Sequence, residues 1–363
     1  MKIIDWYILK RFLVTFLFTL LILIPIAIAI DVSEKIDNFL EHPNLGLNEI
    51  LYDYYLNFII YYANTFMPLA LFIAVILFTS KLSNNTEIIA ITNAKVSFTR
   101  FLYPYFLGAT LVTLLSLAMN HYVVPNSSKV RKGFEKKYIN NSKQKNALKY
   151  VSNFSLQLTD STYIFIRNFN TENNSGYDFN SEIYDGLELK SKLSADRINY
   201  NSKDSSFTLK RWRKRLIYKN RDSIFSGSTI DTVFNFTPQD LIYKSAYAQE
   251  MPSGELLKFI KISKKRGVKN LNAYLVELYK RTSLPIASYI LTIIAVALAF
   301  KKRRGGTGVN LAVGVGIMFL YVFFMKVGEV LGSVAGVNSL SYVWIPNILF
   351  GSIAIYLYFH ARR

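Results

Sequence analysis

Six stretches of this chain are apolar for long enough to cross a bilayer, and nothing else in it constrains the fold as strongly. An α-helix rises about 1.5 Å per residue, so about 20 apolar residues traverse the roughly 30 Å hydrocarbon layer. Such stretches fall at residues 12–30, 67–81 with the preceding turn, 101–124, 283–300, 309–331 and 342–359. Three precede and three follow a more polar region. The expected fold class is therefore an α-helical polytopic membrane protein, six transmembrane helices arranged three plus three, with an inserted all-β, jelly-roll-like domain. The expected divisions are a membrane half at 1–125, a β domain at 126–270 and a second membrane half at 271–363.

The first stretch follows an amphipathic start that carries Asp5, Trp6 and Tyr7. Ala27-Ile28-Ala29 resembles a signal-peptidase site, but 19 apolar residues exceed the usual signal core, and a retained helix is expected. Residues 47–82 form one apolar run too long for a single straight span. Its tyrosine-rich beginning suits the headgroup level, and Pro68 is expected to kink the chain into the second span. Pro125 is expected to close the third. Beyond it, charged helix-like sequence at 129–148 gives way to alternation. Phe154-Ser-Leu-Gln-Leu158, Tyr163-Ile-Phe-Ile-Arg167 and Phe207-Thr-Leu-Lys210 read as strands of a sandwich or jelly roll.

The net charge of +19 resembles that of a nucleic-acid binder, but its distribution argues for a membrane protein. Lys2, Lys10, Arg11, Lys81, Lys95, Arg100, the Lys301-Lys-Arg-Arg304 run, Arg362 and Arg363 all flank apolar stretches on one side. The loop at 332–341 on the other side has neither Lys nor Arg. Positive residues mark the cytoplasmic side, so both termini are expected inside and the β domain outside. Residues 126–270 hold 27 Lys and Arg against 14 Asp and Glu, a surface suited to anionic lipid headgroups or simply to solubility. The chain has no cysteine, which excludes disulfides, thiol catalysis and cysteine-ligated metals.

No catalytic constellation is present: His42, His121 and His360 are scattered, and Gly305-Gly-Thr-Gly308 lacks phosphate-loop spacing. Neither an enzyme activity nor a cofactor is expected. Asn84-Asn-Thr-Glu87 has capping-box spacing, which predicts a short helix at about 84–95 with Ile88, Ile89 and Ile91 along it. Two readings remain for it, a surface helix capped by Glu87 or a docking helix with Glu87 as its charged contact. Lys326 and Glu329, three residues apart in the fifth span, either satisfy each other or leave Lys326 to meet an anionic headgroup; Lys280 and Arg281 invite the same alternatives. Asp31 and Lys35 read as interfacial. Gly308, Ala312 and Gly316, four apart, form a small-residue face for packing within the chain or for a dimer seam.

Several segments in order resemble the LptF/LptG permease family, the membrane subunits of the lipopolysaccharide-export ABC transporter. They are Ile4-Asp-Trp-Tyr-Ile-Leu-Lys-Arg-Phe12, Pro68-Leu-Ala-Leu-Phe-Ile-Ala, Leu82-Ser-Asn-Asn-Thr-Glu-Ile-Ile-Ala90, Val96-Ser-Phe-Thr-Arg100, Val123-Val-Pro125, Lys280-Arg-Thr-Ser-Leu-Pro285 and Trp344-Ile-Pro-Asn347. The resemblance implies an inner-membrane protein that pairs with a second LptF/LptG-type permease and binds a cytoplasmic LptB-like ATPase dimer. It implies lipopolysaccharide as cargo, passed by the periplasmic domain to an LptC/LptA-like bridge, with no nucleic-acid partner. It makes Glu87, with Ile88, Ile91 and Arg100 beside it, the ATPase-coupling segment, and spans one and five the borders of the lipid entrance. Asn93-Ala-Lys95 departs from the small residue and glycine usual there. The rival expectations are a four-span exporter of the lipoprotein-release type and a membrane scaffold that merely anchors the β domain.

Overall fold

The computed structural model describes residues 2–139, 150–170, 173–202, 204–218, 221–234, 236, 238, 245–265, 268, 271–301, 306–334 and 336–362. The chain divides into two compact units. One comprises Met1–Ile139, Ala248–Leu256 and Asn272–Arg363, the other Asn140–Tyr247 and Leu257–Leu271. The second unit thus starts about 14 residues later than the sequence boundary at 126. The expected helical sequence at 140–148 and the basic residues 302–304 lie outside the described residues.

Six helices of the first unit are long and apolar enough to span a membrane. The first is α1 (Ile3–Leu40). A wide, π-helical turn (Glu49–Tyr55) leads into α2 (Leu56–Asn84), and the short α3 (Glu87–Asn93) follows. Next come α4 (Phe98–Ala118), a second wide turn (Met119–Val123) and α5 (Val124–Phe134). After the β region stand α6 (Ser245–Glu250), α7 (Ser253–Lys265), α8 (Asn272–Phe300), α9 (Gly306–Gly332) and α10 (Ser339–Arg362). The helix pair α2 and α8 forms the centre, with Leu71, Phe72, Ile76, Leu291 and Ile294 almost wholly buried.

Pro125 does not end the third span. The helix continues through it to Ile139 because the backbone widens over Met119–Val123, just before the proline. That widening accommodates a residue that offers no N–H and crowds the preceding carbonyl. Other prolines release carbonyls that the bundle uses. Pro285 leaves the Arg281 carbonyl without its helical donor, and Asn120 Nδ2 donates to that oxygen at 3.4 Å. Asn120 Oδ1 in turn accepts from Asn64 (2.7 Å), and Ser116 donates to Asn64 Oδ1 (2.9 Å). Asn347 joins Ser283 (2.8 Å to its carbonyl) and Tyr321 (2.9 Å) in the same way. Side-chain amides buried between spans must find such partners, each worth about 1 kcal/mol.

The second unit is built on one antiparallel sheet. Its strands are β1 (Tyr150–Gln157), β2 (Thr162–Asn170), β3 (Ser175–Asp185), β4 (Glu188–Asn201), β5 (Ser206–Ile217) and β6 (Asp222–Thr232). Each pairs with its sequence neighbour, in the order β1-β2-β3-β4-β5-β6. The register lines up Phe154, Ile166, Phe179 and Ala195 across four strands, and Leu156 with Ile164, on one buried face. All three strand segments expected from alternation are present. Among the described residues these strands form a meander; alternation fixes which face is buried and not the order in which strands pair. Gly186 takes a left-handed conformation (φ +63°) in the tight turn between β3 and β4.

Candidate functional site

Two groups of residues singled out from the sequence lie at opposite ends of the helix bundle. At one end, the loop between α2 and α4 carries α3. Ile88 is 4% exposed within the bundle core and Ile91 packs against the same core, whereas Ile89 is 47% exposed. Ile88 is therefore an anchor rather than a contact for a partner, and Ile89 takes the outward position. A helix this short presents different faces at successive residues, which the run of isoleucines does not disclose.

The capping box is not formed. Asn84 is the last residue of α2, and α3 starts from Thr86 in a left-handed conformation (φ 63°) with no side-chain cap. Asn84 Nδ2 instead donates to Thr307 Oγ1 at the start of α9 (2.7 Å). The Glu87 carboxylate accepts from Asn85 Nδ2 and from the Tyr7 hydroxyl, both at 3.2 Å. Arg100 pairs with Asp5 at 2.5 Å, and Asp5 is 1% exposed and also accepts the Lys2 N–H at 2.6 Å. Arg100 is thus engaged within the chain. Sequence reading missed Asp5 and Tyr7 as members of this loop. The available signal was a carboxylate in an apolar helix start with no cation three or four residues on.

At the other end, Glu329 bridges Lys280 and Lys326, each at 3.0 Å. The pair expected at Lys326 and Glu329 is present, with Lys280 as a third member. Lys326 is the open one, its side chain 68% exposed. The crevice beside Lys280 and Glu329, lined also by Val276, Met325 and Val343, holds about 10 Å³, no more than one water. Arg281 is buried, and its donors are engaged by Ser253 Oγ (2.8 Å) and the carbonyls of Met251 (2.8 Å) and Ala248 (2.9 Å), with Glu277 at 3.5 Å. The expectation that Arg281 meets a lipid headgroup is corrected: its guanidinium fastens residues 248–253 to α8.

Asp31 is likewise not a simple interfacial residue. It is buried beside Lys35 (2.6 Å), Tyr54 (2.9 Å) and Tyr55 (3.5 Å), among the rings of Phe39, Phe58 and Phe134. The small-residue face also differs from expectation. A side chain at Gly308 or Gly316 would meet nothing within 4 Å, while Gly314, Gly328 and Gly332 make the close contacts. Residues 308, 312 and 316 therefore remain open on the surface of α9.

In the β unit, a concavity of about 760 Å³ is lined by Tyr163, Phe165, Asn180, Glu182, Tyr184 and Lys192 among others. Hydrogen bonding from Lys192 (2.8 Å), against the opposing effect of burial and with help from Tyr184 (3.0 Å), holds the Glu182 carboxyl below its ordinary range. Such a group is an ion-pair partner at neutral pH and a poor general acid.

Six spans, a loop helix between the second and third, and an inserted antiparallel sheet form the frame for a comparison with known proteins. A family model described as lipopolysaccharide export system permease LptF/LptG matches residues 6–360, essentially the whole chain. The chain belongs to the LptF/LptG family. A comparison with curated proteins found no match. As an LptF/LptG member it is a multi-pass membrane protein and a permease of a lipopolysaccharide-export system, a transporter family rather than a catalytic one. Its six long helices do not fit a four-span exporter.

Proposed function

We propose that this LptF/LptG-type chain is one of two permease subunits that lift lipopolysaccharide out of the inner membrane and pass it, through the β domain, to a periplasmic bridge. A separate cytoplasmic ATPase dimer drives the cycle. The termini and α3 face the cytoplasm, where basic residues flank the spans, and the β domain faces the periplasm.

The observation that carries this reading is α3 itself. It projects between two spans, is anchored by Ile88, and presents Glu87 and Ile89 beside the bundle. A short helix held in that way transmits a push from a docked partner to α2 and α4 together. The second permease subunit packs against α1 and α9, which carry the largest open apolar faces, the small residues 308, 312 and 316 among them. Lys326 meets the anionic headgroup, while Lys280 supports it by sharing Glu329.

The energetics require an external motor. Moving each buried CH2 of an acyl chain into water costs about 0.8 kcal/mol, so a lipid with several chains does not leave the bilayer unaided. A cavity that closes behind it while an apolar groove opens ahead lowers that barrier.

The test is Glu87→Lys in the assembled complex. Reversing a charge at a hydrogen-bonded docking contact is expected to weaken ATPase association by at least about thirtyfold, the equivalent of 2 kcal/mol or more. Copurification of the ATPase and ATP-dependent release of lipopolysaccharide are the two measurements. Retention of both at wild-type levels would remove Glu87 from the coupling contact.

A further inference from the structure

We infer that Asp5 and Tyr7 are positioning residues of the coupling loop: through Arg100 and Glu87 they make the first helix move with that loop, so that a push on α3 reaches α1 directly. The inference rests on the transport reading above and adds a mechanical route to it.

The buried residues of α1 are Asp5, Ile8, Phe12, Phe16, Thr19 and Leu20, then none until Asp31. The first six form a stripe at helical spacing. Asp5 holds Arg100, two residues into α4. Phe12 stacks on Tyr105 of α4 (ring centroids 5.2 Å) and covers Gly108, where even a Cβ would lie 2.0 Å from the ring. The first half of α1 is therefore interlocked with the helix that leaves the coupling loop. Tyr7 adds a bond to α3 itself.

The other end of α1 is fixed differently. Asp31 is clamped by Lys35 and Tyr54 within the aromatic cluster of the wide turn at Glu49–Tyr55. Between the two clamps lie ten residues without a buried member, and Pro25 sits among them. The proline removes one helical N–H and leaves the Leu21 carbonyl without its donor. Leu23 packs against the bundle core and Ala27 and Ile28 against the aromatic cluster, each only partly buried. A helix fixed at both ends, more lightly packed between them and weakened near the middle bends there when one end is displaced. Leu21, Ile22, Ile26 and Ile30, which face outward over this stretch, would move with the bend. Only 17% of the apolar window of α1 is buried within the chain, against 67% for α2, so little packing inside the chain itself opposes the movement.

Ile88 and Ile91 anchor α3 in the bundle core, and the Tyr7 hydroxyl adds a long-range bond that ties it to α1. Loss of that hydrogen bond should leave the ATPase bound and active while weakening the connection to α1.

The experiment uses the complete complex in lipid nanodiscs. The chain has no cysteine, so nitroxides can be placed at Leu21→Cys on α1 and Ile348→Cys on α10, both exposed. In the wild-type background, trapping the ATPase with nucleotide is expected to change the distance between the labels. The double variant Asp5→Asn with Tyr7→Phe is expected to lose that change. Its lipopolysaccharide released per ATP should fall about two- to tenfold, the scale of one or two hydrogen bonds. ATPase copurification and hydrolysis should persist, and Asp5→Glu, which keeps the charge, should recover most of the release. Wild-type distance change and release in the double variant would overturn the inference. So would a parallel fall in ATPase copurification, which would mark Asp5 and Tyr7 as merely structural. A wild-type complex that releases no lipid with ATP would instead sink the transport reading, and this inference with it.

Discussion

Replacing Gly328 with alanine is expected to separate α9 from α10 and to lower the stability of the detergent-solubilised protein by about 1–3 kcal/mol, the usual scale for overpacking. A Cβ at this position would lie 2.4 Å from the carbonyl oxygen of Tyr342 and 3.6 Å from Pro346. That carbonyl is available for so close an approach because Pro346, four residues on, has no N–H to donate to it. The obstacle is backbone, which cannot swing aside as a side chain does. Gly314→Ala makes the informative contrast, since its new Cβ would meet the flexible end of Ile76 at 2.3 Å. Gly308→Ala should not lower the stability of the separate subunit, with open space around it. Thermal unfolding followed by tryptophan fluorescence ranks the three. Equal midpoints for Gly328→Ala and Gly308→Ala would show that the α9–α10 contact is not so close.

The second large effect is expected at Arg281. Substitution by methionine keeps most of the volume but removes the guanidinium. Glu277 loses its cation, and the carbonyls of Ala248 and Met251 lose their donors in a buried setting. Removing one partner of a buried charge network typically costs about 3–5 kcal/mol. The loss should appear locally first: amide exchange over residues 248–256 should quicken before the spans themselves open. Arg281→Lys is expected to recover only part of the protection, because a single ammonium cannot reproduce the planar fork that reaches three acceptors. Unchanged exchange in Arg281→Met would mean that this segment is held by something else.

Much of this architecture was legible from the sequence because bilayer thickness, a physical constant outside the protein, sets the length of each apolar block. The strands at 154–158, 163–167 and 207–210 were legible for a related reason, since one buried face imposes alternation. What escaped were partners. The Asn84 spacing fits a cap, but the side chain is drawn across to Thr307, more than 200 residues away, which no local pattern encodes. Gly308, Ala312 and Gly316 have the four-residue spacing of a close helix contact, yet Gly328 holds that role because a proline on another helix bares a carbonyl opposite it. Arg281 and Lys326 look alike on the page of a sequence. One is enclosed by carbonyls and the other stands open, a difference made by residues 248–253 folding back onto α8.

The wide turn at Met119–Val123 has a bearing on how such a chain could be altered. A turn of this kind holds one residue more than an ordinary helix would need. An extra residue in a straight α-helix would turn everything beyond it by about 100°. The widened turn takes up that residue locally instead, so deleting one residue within it should leave an ordinary α-helical turn with Phe134 still against Tyr54 and Arg131 still over the Tyr61 ring, now at 4.4 Å. The surplus residue is therefore slack in the helix, and this turn is where the third span should tolerate shortening by one.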